Sequence, residues 1–114
     1  SEKNGLESRI SEYFGRSPYY VLIDVEKGQI KNHTMKDNPY SKKETRAGLG
    51  LSNLLAKDEV NVLIAKRVGE ISFHTLRDHF VEIYTARGHI VKGALESFLK
   101  ESLERMEEHT EEIE

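Results

Sequence analysis

Residues 14–26 read "FGRSPYYVLIDVE". Pro18 has no backbone N–H to give to a ladder, so it suits the first position of a strand. After it, Tyr20, Leu22, Asp24 and Glu26 alternate with Val21, Ile23 and Val25, the period-2 pattern of a half-buried strand. Lys27-Gly28 then turns the chain into "QIKNHTM", where Ile30 and Met35 bracket a mostly polar run. The spacing predicts a β-hairpin over residues 19–36, its second strand nearer the sheet edge. Upstream, "SEKNGLESRISE" is read as a loop with a turn at Asn4-Gly5.

Working outward, "DNPYSKKE" is a loop ending in a capping-box pattern, Ser41-x-x-Glu44. A helix to about Lys57 follows, with Ala47, Leu51, Leu54 and Leu55 on one face. Gly48 and Gly50 fall inside it, and each costs about 1 kcal/mol relative to Ala in a helix interior. Close packing, a late helix start or the approach of a ligand would each explain them. "VNVLIA" (60–65) is a short buried strand, and "KRVGE" (66–70) turns into a helix through about Phe80, with Phe73, Leu76 and Phe80 facing inward. "VEIYTA" (81–86) is a further strand. The last helix carries Val91, Ala94, Leu95, Phe98, Leu99, Leu103 and Met106 as one long apolar stripe. The order, hairpin then α-β-α-β-α, is an α/β fold with parallel neighbours joined through crossover helices and one antiparallel strand.

Composition bounds the chemistry. The chain has 114 residues, read as a single domain over 1–114 whose acidic end, 107–114, frays. Apolar residues make up 37% and charged residues 32%, enough for a core inside a charged surface. There is no cysteine, which rules out disulfides and thiolate-held iron–sulfur clusters. A net charge of −3 gives no global footprint for nucleic acid. No run is long enough to span a bilayer and no leader is seen, so a cytoplasmic setting is expected. Abundant Lys and Glu with a single Gln lean toward a thermophile.

The combination of "GLESRISEYFGRSPYYVLIDVEKGQI", the "NP" that follows, the Gly-bearing helix, "VNVLIAKRVG", "IYTARG" and the final amphipathic helix resembles the dinitrogenase iron-molybdenum cofactor biosynthesis family. The resemblance implies a ribonuclease H-like fold, a five-stranded mixed sheet in the order 3-2-1-4-5 with helices on both faces. It also implies a central strand just before the "GLES" equivalent, and a few residues are read as missing ahead of Ser1. Cofactor-handling relatives bind a large anionic metal–sulfur cluster, iron-molybdenum or another, or carry its precursors. In those members a His commonly precedes the Phe-Gly. Here that position is Tyr13, which removes the most obvious metal ligand.

Three stretches are candidate sites. In "FGRS", the amides of Gly15, Arg16 and Ser17 with the Arg16 charge would make an anion-accepting concavity; a plain turn is the bland alternative. In "KRVGE", Arg67 and Gly69 lie between a parallel strand and a helix N-terminus, where anions bind in α/β sheets, although Glu70 already serves the helix dipole. In "TRAGLG", Arg46 offers counter-charge and Gly48 close approach. His89 is the histidine placed to reach the same rim. His33, His74, His79 and His109 show no ligand spacing, and His74 with Asp78 reads as a solvated pair.

The leading expectation is a small non-catalytic protein that holds an anionic cluster or small anion at the carboxyl-end rim, with a protein partner in cofactor assembly and neither nucleic acid nor membrane. A second is an interaction module using the final helix and acidic tail. A third is a metal-dependent nuclease built on carboxylates such as Asp24, Glu26, Asp37 and Asp58. No serine-hydrolase pattern is present.

Overall fold

In the computed structural model, residues 5–42, 47–86, 88 and 90–108 are described. Strand β1 (Tyr19–Glu26) turns at Lys27-Gly28 into β2 (Gln29–Asp37). Both turn residues take positive φ, 54° and 77°, the turn whose twist matches that of two paired strands. The antiparallel register runs from Tyr19 opposite Asp37 to Glu26 opposite Gln29, with an irregularity between Asp24 and Val25. The hairpin is thus the one legible in the sequence.

Helix α1 (Ala47–Lys57), strand β3 (Val62–Ala65), helix α2 (Glu70–Asp78), strand β4 (Glu82–Thr85) and helix α3 (Val91–Leu99) follow. β3 and β4 pair in parallel, from Val62 opposite Glu82 to Ala65 opposite Thr85, joined through α2 as parallel strands require. Leu51 and Leu55 of α1, Phe73 and Leu76 of α2, and Ile83 of β4 share one buried cluster with Phe14. Fully burying a side chain such as Leu51 or Leu76 contributes about 1.5–3 kcal/mol.

The expected five-stranded ribonuclease H-like sheet does not form. β1–β2 and β3–β4 are two separate two-stranded sheets. Strands pair only when they lie side by side at about 4.8 Å. Here a cleft lined by both β1 and β3 separates their facing edges. The two halves are joined by side-chain packing and, among the described residues, by the isolated backbone bridges Tyr13 to Arg67 and Arg9 to Ile90.

Two helix boundaries also differ from the periodic reading. α2 ends at Asp78, and Phe80 takes φ 63° with its side chain 90% exposed. The N–H groups of Phe80 and Val81 bond back to Arg77 and Leu76, which turns the Phe80 ring outward and gives its inner place to Val81. α3 stops at Leu99, and Glu101 takes φ 57°. Leu103 and Met106 are buried as expected, but from a returning segment and not from the helix. Thr85 N–H donates to Glu104 O at 2.9 Å and Met106 N–H to Ile83 O at 2.7 Å, so this segment covers the outer edge of β4. Removing this segment would therefore take Leu103 and Met106 out of the core and uncover the β4 edge.

The glycine question in α1 has a local answer at one position. A Cβ on Gly50 would lie 2.4 Å from a ring carbon of Tyr40, so close packing places that glycine. Glu44 of the capping-box pattern and His109 with the acidic end lie outside the described residues. Most ion pairs among the described residues are separate surface contacts, not the networks that mark thermophiles. No helix among the described residues is long and apolar enough to cross a membrane.

Asn tolerates the left-handed region that costs other residues about 1–2 kcal/mol. Phe80→Asn should therefore raise the urea midpoint; a lowered midpoint would mean that the exposed ring makes a stabilising contact. Tyr20 hydroxyl donates to Asp58 Oδ2 at 3.4 Å, and burial first, then the Asp58 charge and this hydrogen bond, hold its pKa above 10.0. The unfolded chain ionises Tyr20 first, so this contribution is intact below pH 10 and is lost as pH rises through the higher folded value. Tyr20→Phe should flatten that alkaline decline in stability, measured by denaturant unfolding across pH; an unchanged decline would locate its cause elsewhere.

Candidate functional site

The rim at the carboxyl ends of β3 and β4 is assembled by backbone contacts between three connections. Phe14 N–H donates to Arg67 O at 3.1 Å, and Tyr13 bridges Arg67 in parallel. Val91 N–H donates to Ser8 O at 2.9 Å, and Arg9 bridges Ile90. The loop of residues 8–17 is in this way laced to the end of β3 and to the start of α3.

Within that loop, Phe14–Arg16 forms a short 3-10 turn. Phe14 plugs the core at 6% exposure. Gly15 is forced by contact: a Cβ there would meet the Gly48 nitrogen at 2.5 Å and its Cα at 2.7 Å. The start of α1 thus rests on the turn backbone. Arg16 N–H donates to Tyr13 O at 3.2 Å and Ser17 N–H to Phe14 O at 3.4 Å. The Ser17 hydroxyl donates to Tyr19 O. Both amides and the hydroxyl already have partners inside the turn.

Charged side chains gather on the outer side of the bridge. Arg67 Nε donates to Glu12 Oε1 at 2.8 Å, and its guanidinium stands 5.9 Å from the centre of the Tyr13 ring. Lys66 Nζ lies 3.8 Å from the other Glu12 oxygen. Arg67 and Glu12 are about half exposed, with side-chain exposures of 46% and 51%. Gly69, buried, is the N-cap of α2, and no side chain caps that end. Glu70 occupies its first turn.

Of the residues singled out in the sequence, Gly15, Arg16, Ser17, Gly48 and Arg67 meet around this turn, and Gly69 sits two residues beyond Arg67. Gly15 serves close packing with the start of α1, and Ser17 closes the turn. Arg46 and His89 lie outside the described residues. His74 is exposed on α2, its ring edge-on to Phe73. The carboxylates considered for a nuclease do not converge. Glu26 pairs with Lys31, Asp58 meets Tyr20 and Lys36, and no group of three metal-ligating side chains occurs among the described residues.

Three residues of this region escaped the sequence reading. Glu12 and Lys66 complete the charge cluster with Arg67, a pairing across 55 residues that no local pattern announces. Asn38 is the third. Buried at 4% exposure, its side-chain amide donates to Gly15 O at 3.2 Å and Ser17 O at 2.8 Å. Its carbonyl accepts from Tyr40 N–H at 2.9 Å. The Asn-Pro pair signals a turn, but not that its side chain staples a second turn 21 residues away.

The comparisons with known proteins agree with one another. A family model described as dinitrogenase iron-molybdenum cofactor matches residues 1–101. An uncharacterised protein of Methanocaldococcus jannaschii is 25% identical over 100 residues, covering 88% of this chain and 85% of its own. The apo form of the orange protein from Desulfovibrio gigas superposes with a TM-score of 0.88 at 23% identity, covering 97% of this chain and 92% of that one. A candidate NifB protein from Thermotoga gives a TM-score of 0.77 at 28% identity, covering 96% and 90%.

The contact at Gly15 can be checked directly. Gly15→Ala forces the turn off α1 and should cost about 1–3 kcal/mol, the usual range for overpacking, read as a lowered urea midpoint. Unchanged stability would mean that the turn does not depend on that contact.

Proposed function

The chain belongs to the dinitrogenase iron-molybdenum cofactor family, and from that premise we propose that it is a small non-catalytic binding protein for an anionic metal–sulfur cluster or a precursor of one. The cluster is cargo, held at the rim beside the 14–16 turn. The observation that carries this reading is that Lys66 and Arg67, at the end of β3, come together with Tyr13 beside the turn that holds Arg16.

The donor set suits this kind of cargo. Without cysteine, and with no cluster of ligating side chains among the described residues, the rim offers ionic and cation–π contacts in place of coordination. A guanidinium gives a planar fork of donors to oxyanion or sulfide edges. Tyr13 adds an aromatic face 36% exposed. Glu12 balances Arg67 and Lys66 in the cargo-free chain. A surface pair of this kind contributes only about 0–1 kcal/mol, so a multiply charged anion can displace it at little cost.

The test is anaerobic reconstitution with iron, molybdate and sulfide, followed by gel filtration. The expected result is a visible chromophore that co-elutes with the protein in fixed stoichiometry and is lost in the Arg16→Ala, Arg67→Ala double variant. Equal retention by that variant, or no metal retained by the unaltered protein, overturns the reading.

A further inference from the structure

One carboxylate at the rim sits where an anion would. Glu12 sends its two oxygens to different cations: Oε1 accepts from Arg67 Nε at 2.8 Å, and Oε2 lies 3.8 Å from Lys66 Nζ. The backbone explains why these three side chains meet. Tyr13 bridges Arg67 in parallel, and Phe14 N–H donates to Arg67 O. In a parallel bridge the residues one step back, Glu12 and Lys66, are neighbours as well.

The members of this trio are not equally fixed. The Lys66 side chain is 15% exposed, whereas that of Glu12 is 51% exposed. The Arg67 guanidinium also stands over the Tyr13 ring, a contact that does not involve Glu12. When the carboxylate swings into solvent, the two cations keep their places and lose the charge that offset them. Salt screens a largely buried ammonium less than an open one, so its charge stays available to a ligand.

We propose, on the reading of this rim as an anion site, that Lys66 and Arg67 form a two-pronged anion subsite whose place Glu12 holds as a tethered competitor. The ligand it fits carries at least two negative charges on separated oxygen or sulfur atoms, one for each cation. A monovalent halide brings neither the second charge nor the second acceptor.

Tethering matters because it acts as a concentration. A group fixed beside its partners competes at an effective concentration in about the millimolar range, and every incoming anion loses the same factor to it. A weakly held monovalent anion then stays off the rim, while an anion that engages both cations at once still displaces the carboxylate. An ion pair that served to aim Arg67 at a ligand has the opposite consequence, because removing the Glu12 charge would then weaken binding. The sign of the effect decides between the two roles.

The probe is molybdate, a doubly charged oxyanion at neutral pH, titrated into the 114-residue chain and followed by NMR of the Arg67 Nε–H and the Tyr13 ring. Glu12→Gln keeps the size of the side chain and removes its charge. It should bind molybdate about three- to tenfold more tightly than the unaltered chain, the scale of one solvated ion pair plus relief of a nearby like charge. Glu107→Gln removes the same single charge from an exposed position beyond Met106, and should change the affinity by less than about twofold because salt screens it. In an Arg67→Ala chain the gain from Glu12→Gln should vanish. Equal or weaker binding by Glu12→Gln overturns the subsite while leaving an anion at the rim standing. An equal gain from Glu107→Gln overturns it too, since the effect is then one of net charge alone. Binding by neither chain also overturns it; metal retained on reconstitution would then confine the failure to this subsite, and metal lost as well would extend it to the whole rim.

Discussion

Where the 14–16 turn meets the start of α1, backbone rests on backbone: nothing larger than hydrogen fits at Gly15, whose added Cβ would lie 2.5 Å from the Gly48 nitrogen. The same turn sends Phe14 into the core beside Leu51 and Phe73 and hands its N–H to Arg67 O at the end of β3. From the other side, Asn38 holds the turn's carbonyls. Hairpin, first helix and parallel unit are all positioned from these few atoms.

That arrangement also decides what kind of site the rim can be. A turn whose amides are bonded internally is rigid, yet it has little hydrogen-bonding capacity left for a ligand. Under the proposed reading, recognition passes to the side chains mounted on it and on the end of β3. Arg67, Lys66 and Glu12 are held near one another beside the Tyr13–Arg67 bridge, with Arg67 and Glu12 about half exposed and Lys66 largely buried. Such a surface suits a large, diffuse anion better than a single metal ion, which would need convergent ligands.

Much of this was legible. Residues 19–36 declare a hairpin through strict alternation and a Lys-Gly turn, and Ala47, Leu51 and Leu55 declare the inner face of α1, because both are properties of one element's own period. The reading of Phe80 and of the helix after Leu99 failed for a related reason. Apolar spacing marks which residues are buried but not the point at which the chain leaves the helix. Leu103 and Met106 are buried from an edge segment on β4, and Phe80 gives its inner place to Val81. At the rim, the sequence pointed to Arg16 and Arg67 but not to Glu12, Lys66 or Asn38.

Composition, period and turn chemistry settled the α/β class, the order of its elements and the absence of thiolate ligands, and the resemblance of its motifs pointed to the family. Each of these is written in neighbouring residues. Only the tertiary structure decided that the strands form two sheets and not one, that Gly15 serves a helix contact, and that Glu12 balances Arg67 and Lys66. Those outcomes depend on which distant backbones come within hydrogen-bonding or van der Waals distance, and a pairing across 55 residues leaves no trace in the local pattern on either side of it.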